Sequence, residues 1–120
     1  MRTVLDVLRE ISTAPDFYGQ VVTSVHVTNG HGDMPLHIAA SSGDCEAIGL
    51  LVAAGADINA RGEHGFTPLH CAAEQDNEPA VRLLLELGAS ITANNSGDTP
   101  QQLAKLLGNQ RALTGFSRDI

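Results

Sequence analysis

The sequence predicts an all-α repeat solenoid, a stack of helix-turn-helix units that begins with an N-terminal capping helix. The tetrapeptide MPLH at 34–37 returns 33 residues later as TPLH at 67–70, and GADIN at 55–59 returns as GASIT at 88–92. A fixed period of this length is the sequence signature of stacked supersecondary units. Aromatic residues make up only 3% of the chain, so small aliphatic residues must build the interior, which favours helix-on-helix packing over a sandwich.

Each unit is predicted to begin at a threonine followed by a proline. Thr67 and Thr99 are suited to the N-cap, because their hydroxyls can accept an unpaired backbone N–H. The following proline occupies the first helical position, where its missing donor does no harm. Met34 takes the place of the threonine in the first unit and should weaken that cap. Short apolar helices follow at 36–40 and 69–73, with alanines that allow a close approach of the neighbouring unit.

A tight turn separates the two helices of each unit. Three residue pairs suit a left-handed residue followed by a second N-cap: Gly43-Asp44, Asp76-Asn77 and Gly108-Asn109. The second helices carry aliphatic residues at 48–52 and 81–85 and should end at Gly55 and Gly88, which are well placed beyond a helix C-terminus. The chain then passes through an extended segment and a β-hairpin-like turn into the next unit.

These motifs closely resemble the ankyrin repeat, whose signature is a TPLH-type helix start, a glycine turn, a second helix with paired aliphatic residues and a GADxN exit. The resemblance covers roughly Val25 to Phe116. It implies a repeat region at 25–120, with near-complete repeats at 34–66 and 67–98 and a C-terminal capping repeat at 99–116. Gln101 stands where the family has leucine, which suits a capping repeat whose outer face meets water.

Residues 1–24 are expected to form a capping helix and a long connecting loop. The segment 3–12 carries an apolar stripe at helical spacing, suited to covering the exposed end of the stack: Val4, Val7, Leu8 and Ile11. The loop at 13–24 has no counterpart in the family pattern and holds Phe17 and Tyr18. We interpret Phe17 as packing against the capping helix in a satellite cluster.

Charge and hydropathy exclude several classes of partner. The net charge is −7, and Lys105 is the single lysine, whereas nucleic acids and anionic membranes require clustered basic residues. No apolar run approaches membrane-spanning length, and charged residues interrupt the N-terminal apolar stretch, so no signal peptide is expected. We therefore expect a cytoplasmic protein, monomeric on its own, whose Cys45 and Cys71 stay reduced.

Chemistry built on histidine and cysteine is the alternative from the enzyme class. The resemblance implies that His37 and His70, the histidines of the TPLH-type motif, tie each helix start to neighbouring backbone. The usual zinc spacings are absent around His31 and His64, and neither cysteine has the surroundings that activate a thiol. We predict no enzyme, no catalytic residue, no metal and no cofactor, and a redox or metal-dependent activity remains the less favoured alternative.

The resemblance also implies a binding strip, because ankyrin-like stacks meet partners through turn tips and the exposed ends of their first helices. Carried over to this sequence, the strip comprises His31, Asp33, Glu63, His64, Phe66, Ser96 and Asp98 at the tips and Ser41, Ser42, Glu74 and Gln75 at the helix ends. Since the strip is polar and acidic, we predict a protein partner with a basic surface. Phe66 is expected on a turn tip, where it is the best candidate for an exposed anchor; the alternative is that its ring packs flat on the next tip.

The predicted function is therefore protein binding, as an adaptor or an inhibitor. A sharper form follows by analogy with compact bacterial ankyrin proteins, some of which act as immunity proteins or antitoxins by covering the active site of a toxin. A self-associating scaffold is the alternative from the structural class.

Overall fold

The computed structural model describes residues 1–17 and 20–117, so Tyr18 of the connecting loop and residues 118–120 lie outside the described residues. Seven α-helices occur in the described part of the chain: α1 Val4–Ser12, α2 Pro35–Ser42, α3 Cys45–Ala53, α4 Pro68–Glu74, α5 Glu78–Glu86, α6 Pro100–Leu107 and α7 Gln110–Phe116. Short 3-10 turns occupy Pro15–Phe17 and Glu63–Gly65. These residues contain no strand, which confirms the predicted all-α class.

The helices form two layers. In one layer α2 packs against α4 and α4 packs against α6, while in the other α3 packs against α5 and α5 packs against α7. The smallest extent of the molecule is 20 Å, which matches about two helix diameters of roughly 10 Å each. The recurrence in the sequence therefore corresponds to stacked helix pairs, and the predicted repeat architecture is confirmed.

The predicted N-caps are formed by the two threonines. The Oγ1 of Thr67 accepts the N–H of His70 at 3.3 Å, and the Oγ1 of Thr99 accepts the N–H of Gln102 at 3.2 Å. Met34 makes no such side-chain hydrogen bond, because its thioether is a poor acceptor. Its own backbone N–H instead donates to Nδ1 of His37 at 2.9 Å, so the first repeat keeps half of the capping arrangement.

The turn between the paired helices requires a left-handed residue. Gly43 and Gly108 adopt φ values of 72° and 72°, and Asp76 adopts φ 55° at the equivalent position. This conformation costs a residue with a Cβ about 1–2 kcal/mol. The Oδ1 of Asp76 accepts the N–H of Ala112 at 2.8 Å, so a hydrogen bond to α7 of the next unit offsets part of that cost.

The described buried residues form one continuous apolar cluster through the stack. Its largest fully buried aliphatic side chains come from helices of both layers: Leu36, Ile48, Leu51, Leu69 and Leu84. The apolar stripe of α1 covers the start of the stack by packing on α3 and α2, as predicted. Phe17 is also buried and belongs to this main cluster, so the expected satellite cluster under the loop does not form.

Arg2 fastens the capping helix to the first repeat. Its guanidinium donates to Glu10 at 2.7 Å, to Asp44 at 2.7 Å and to Glu46 at 3.2 Å. These hydrogen bonds raise the pKa of Arg2, and the bond from Arg2 is the main reason why the pKa of Asp44 is lowered. Three of the carboxylates of the chain are thereby engaged within the fold.

Candidate functional site

A groove of about 560 Å³ lies between the C-terminal ends of α2 and α4 and the turn tips that precede these helices. Its walls are formed by Asp33, His37, Ile38, Ser41, Ser42, Glu63, His64, Phe66, Cys71, Glu74 and Gln75. Eight of the eleven residues of the predicted strip line this groove, all except His31, Ser96 and Asp98. The stacking of two repeats therefore brings residues more than thirty positions apart into one concave surface.

The other three residues lie beside the groove or further along the stack. Nδ1 of His31 is 3.8 Å from Oε2 of Glu63, at the edge of the groove. Asp98 lines a separate shallow pocket of about 350 Å³ next to α6. Ser96 is exposed on the third turn tip. The predicted strip is thus one groove with an extension towards the last repeat.

Two buried asparagines hold the first and third tips. Oδ1 of Asn94 accepts the N–H groups of Ser96 at 2.9 Å and Asp98 at 3.0 Å. Asn29 accepts the N–H groups of residues 31 and 33 in the same way. Both asparagines are 7% exposed, and their backbone N–H groups donate across each tip to the carbonyls of Asp33 at 2.9 Å and Asp98 at 2.8 Å. Sequence reasoning missed them, although each stands four residues before an aspartate of the strip.

The second tip uses a contact between repeats instead. Gly62 occupies the asparagine position, and its N–H donates to the carbonyl of Phe66 at 2.8 Å, which closes the tip. A Cβ on Gly62 would fall well inside contact distance of Oδ1 of Asp33 and 3.0 Å from Nε2 of His37. The same Oδ1 accepts the N–H of Glu63 at 2.9 Å. Asp33 therefore both lines the groove and holds the next tip in place.

The motif histidines lie beneath the groove. Nδ1 of His70 accepts the N–H of Thr67 at 3.1 Å, so Nε2 carries the proton and donates to the carbonyl of Asp98 at 2.8 Å. His37 makes the equivalent bonds one repeat earlier. Burial is the main cause of the lowered pKa of His70. Both nitrogens of each ring are engaged with backbone, so these imidazoles are neither open ligands nor free bases.

The charged groups of the groove are acidic. Asp33, Glu63 and Glu74 line it, and no lysine or arginine of the described residues does. Oε1 of Glu63 lies 3.2 Å from Nε2 of His64, which is itself exposed. Glu74 forms no ion pair or side-chain hydrogen bond with any described residue. The field in the groove therefore attracts cations.

Phe66 packs against the second repeat. Its ring is partly buried, with the centroid 5.3 Å from that of His70 and the planes inclined by 33°. The carbonyl of Phe66 accepts from Gly62 and from His37, and these two bonds hold the backbone so that the ring lies over the second repeat. Phe66 thus contributes one face to the groove while its ring packs on the second repeat, as the packed alternative predicts in part.

His64 adopts a left-handed conformation, with φ 60° and ψ 18°. Such a backbone is uncommon for a residue with a side chain, although histidine tolerates it better than most. As at Asp76, a hydrogen bond to the next repeat accompanies this conformation, because the carbonyl of His64 accepts the N–H of Asn95 at 3.0 Å. The side chain of His64 is 75% exposed, and its ring lies edge-on to that of Phe66 with the centroids 6.5 Å apart.

Neither cysteine has the properties of a nucleophile. Burial raises the pKa of the Cys71 thiol to about 12. Burial, and to a smaller extent the charge of Asp44, also raises the pKa of Cys45. Among the described residues, no group of three or more His, Cys, Asp or Glu side chains could hold a metal ion. None of the described helices is long and apolar enough to cross a membrane.

The sequence matches a known protein family. A family model described as ankyrin repeats (3 copies) matches residues 15–95. The match covers more than half of the chain and includes both repeats that form the groove, while α6 and α7 lie beyond it. A search of curated proteins finds no match to the sequence.

Proposed function

This chain belongs to the ankyrin repeat family, and we propose that it binds a protein with a basic surface through the groove between α2 and α4. Ankyrin repeats are generally protein–protein interaction modules and generally lack enzymatic activity. The observation that supports a basic partner is that three carboxylates line the groove while no lysine or arginine of the described residues does.

The distribution of ion pairs strengthens this proposal. Arg2 engages Glu10, Asp44 and Glu46, and Arg82 engages Glu78 at 3.0 Å. The groove carboxylates have no arginine or lysine partner among the described residues. Charges of this kind mainly speed the encounter with a complementary partner and fix its orientation. Each exposed pair adds only about 0–1 kcal/mol.

The size and chemistry of the groove favour side chains of a protein over a small molecule. Its volume of about 560 Å³ is within the range of roughly 300–1,000 Å³ that is usual for ligand sites, but such sites are predominantly apolar. Here six of the eleven lining residues carry a carboxylate, a hydroxyl or an amide. The exposed face of Phe66 can pack against an arginine or lysine side chain that enters the groove, through the aromatic–cation attraction.

Adaptor and inhibitor are both compatible with this mode of binding. An acidic groove is best suited to covering a basic active surface, such as one that handles nucleic acid or another anion. The inhibitory form of the proposal is therefore that the chain neutralises a protein, a toxin for example, by occupying that surface.

The test uses a matched pair of charge reversals. Glu74 is the last residue of α4 and lines the groove, whereas Glu86 is the last residue of α5 and lies in the outer layer, and both are exposed. Glu74→Lys and Glu86→Lys change the net charge and the helix terminus equally. Partners that co-purify with the wild-type chain are identified by mass spectrometry, and their affinities for the three proteins are measured by calorimetry.

We expect Glu74→Lys to weaken binding about tenfold and Glu86→Lys to change it less than about twofold, which corresponds to a difference near 1 kcal/mol. Equal effects of the two variants would mean that only net charge matters, and unchanged binding by Glu74→Lys would remove the groove from the interface. Glu74 is preferred to Phe66 as a probe, because Phe66 is partly buried and its truncation would also destabilise the fold.

A further inference from the structure

The inner helices α2, α4 and α6 can be compared position by position, because each begins at the proline of its repeat. The two residues that end the concave side of each helix are Ser41 and Ser42, then Glu74 and Gln75, then Leu106 and Leu107. In α2 and α4 these residues line the acidic groove. In α6 they are two leucines, 72% and 52% exposed, and they extend the same strip with a different chemistry.

The two leucines are not exposed merely because α6 is the last inner helix of the described stack. Ala40 and Ala73 are fully buried, whereas the equivalent residue of α6 is the exposed Lys105. The last repeat therefore carries a polar residue where internal repeats bury an apolar one. Glu74 is exposed even though α6 packs against α4, so its position faces solvent within the stack. A further repeat would consequently leave Leu106 exposed as well.

We propose that the concave strip is bipartite: one segment of the partner places a basic side chain in the acidic groove and a large apolar side chain on Leu106 and Leu107. This inference rests on the proposed function of the groove and adds the second half of the recognition element. Leu106 also borders a shallow pocket of about 350 Å³ on the end face of the stack, which it lines together with Asp98, Gln102 and Lys105. The apolar half of the recognition element is therefore the exposed surface of the two leucines, which are 72% and 52% exposed.

The charges along the strip set the direction in which the segment lies. The groove end carries Asp33, Glu63 and Glu74, while the leucine end carries Lys105. A basic side chain is attracted to the first end and repelled from the second. Leu106 and Leu107 instead favour an apolar side chain, because burying apolar surface away from water is favourable. The two ends of the strip therefore select different side chains of the same segment.

The spacing of the two side chains follows from the stacking of the helices. Adjacent packed helices are about 8–10 Å apart, so the middle of the groove and the end of α6 are separated by roughly 12–15 Å. An extended chain advances about 3.3 Å per residue. The partner segment should therefore carry its basic and apolar residues about four or five positions apart.

The test selects peptides from a phage-displayed library of random sequences on the wild-type chain and on three variants. Leu106→Gln/Leu107→Gln removes the apolar half of the strip, and Glu63→Lys/Glu74→Lys reverses the acidic half. Leu5→Gln/Leu87→Gln replaces two other exposed leucines, 59% and 39% exposed, and serves as the matched control. Circular dichroism and thermal melting check that each variant remains folded.

We expect the wild type and the control to enrich peptides in which a basic residue and a large apolar residue are about four or five positions apart. The double leucine variant should lose the apolar preference and keep the basic one, and the charge-reversed variant should show the opposite. Peptides enriched on the wild type should bind the double leucine variant about tenfold more weakly in fluorescence polarisation and bind the control with unchanged affinity.

Three results would overturn the inference. A basic preference without an apolar one on the wild type would leave the groove proposal standing and remove the leucine half. Absence of any basic preference would contradict the proposed function itself. Sedimentation that shows a wild-type dimer, abolished by Leu106→Gln/Leu107→Gln, would assign the leucines to a second copy of the chain.

Discussion

Substitution of Gly62 by alanine should destabilise the second turn tip through a side chain of the preceding repeat. The added Cβ would overlap Oδ1 of Asp33, and this oxygen accepts the N–H of Glu63 at 2.9 Å. The carboxylate is the end of a flexible side chain, so it can rotate away from the methyl group. The main cost is therefore the lost hydrogen bond, with a smaller contribution from Nε2 of His37 at 3.0 Å.

The magnitude follows from the environment of that bond. A hydrogen bond to a charged group contributes about 1.5–3 kcal/mol when buried, and Asp33 is only partly buried, so we expect Gly62→Ala to lower the free energy of unfolding by about 1–2 kcal/mol. Gly30→Ala measures the intrinsic effect of the exchange, because a Cβ on Gly30 meets no atom within 4 Å. At such a site alanine is neutral or stabilises by up to about 1 kcal/mol.

The experiment measures urea denaturation of four variants: Gly62→Ala, Gly30→Ala, Asp33→Ala and the double variant Asp33→Ala/Gly62→Ala. If the methyl group acts by displacing Asp33, Gly62→Ala should cost little once Asp33 is already truncated. The two substitutions should then show a coupling of about 1 kcal/mol or more, whereas independent sites add to within about 0.5 kcal/mol. Additive effects, or equal costs for Gly62→Ala and Gly30→Ala, would refute the proposed link between the repeats.

Three further predictions concern the stack and its tips. Leu84→Ala truncates a fully buried side chain and should cost about 2–5 kcal/mol in urea denaturation, while Leu87→Ala, at a residue 39% exposed, should cost much less; similar costs would contradict the packing described. Because burial lowers the pKa of His70, the unfolded chain binds the proton more readily, so stability should fall as the pH drops below about 6.5, the ordinary histidine value. Thermal melting against pH should show a shallower decline for His70→Gln, and an unchanged slope would exclude this histidine as a source. Asn94→Ala removes the acceptor for two backbone N–H groups and should cost about 1–3 kcal/mol, whereas Ser96→Ala, at an exposed neighbour, should leave the denaturation midpoint where it is.

Most of the fold could be predicted from short-range patterns. Thr67 and Thr99 cap helices through residues three positions away, and the backbone turn at Asp76 is closed by N–H groups of residues 76 and 77 that donate to carbonyls of α4. Hydrogen bonds between residues a few positions apart depend only on adjacent residues, so the same short motif marks them in each repeat. The strip positions came from the resemblance to the ankyrin repeat, and eight of these eleven residues line the groove.

The contacts between repeats could not be predicted from short-range patterns. The sequence left open whether Phe66 is exposed or packed, and two hydrogen bonds to its carbonyl, one of them from His37 in the preceding repeat, turn its ring towards His70. Leu106 and Leu107 were overlooked because an apolar residue near the end of an amphipathic helix normally indicates core. Their place on the strip becomes evident only when the positions of α6 are compared with the equivalent positions of α2 and α4.

The sequence by itself determined the repeat, the helix boundaries and the aliphatic core, because capping, helical periodicity and the 33-residue recurrence act over short or regular separations. Tertiary structure decided which side chains share a surface: Asp33 contacts the tip of the next repeat, three carboxylates surround one groove, and a leucine pair stays exposed at the end of α6. These arrangements depend on how closely and at what angle successive units pack, and packing is a property of the assembled core that no single repeat encodes.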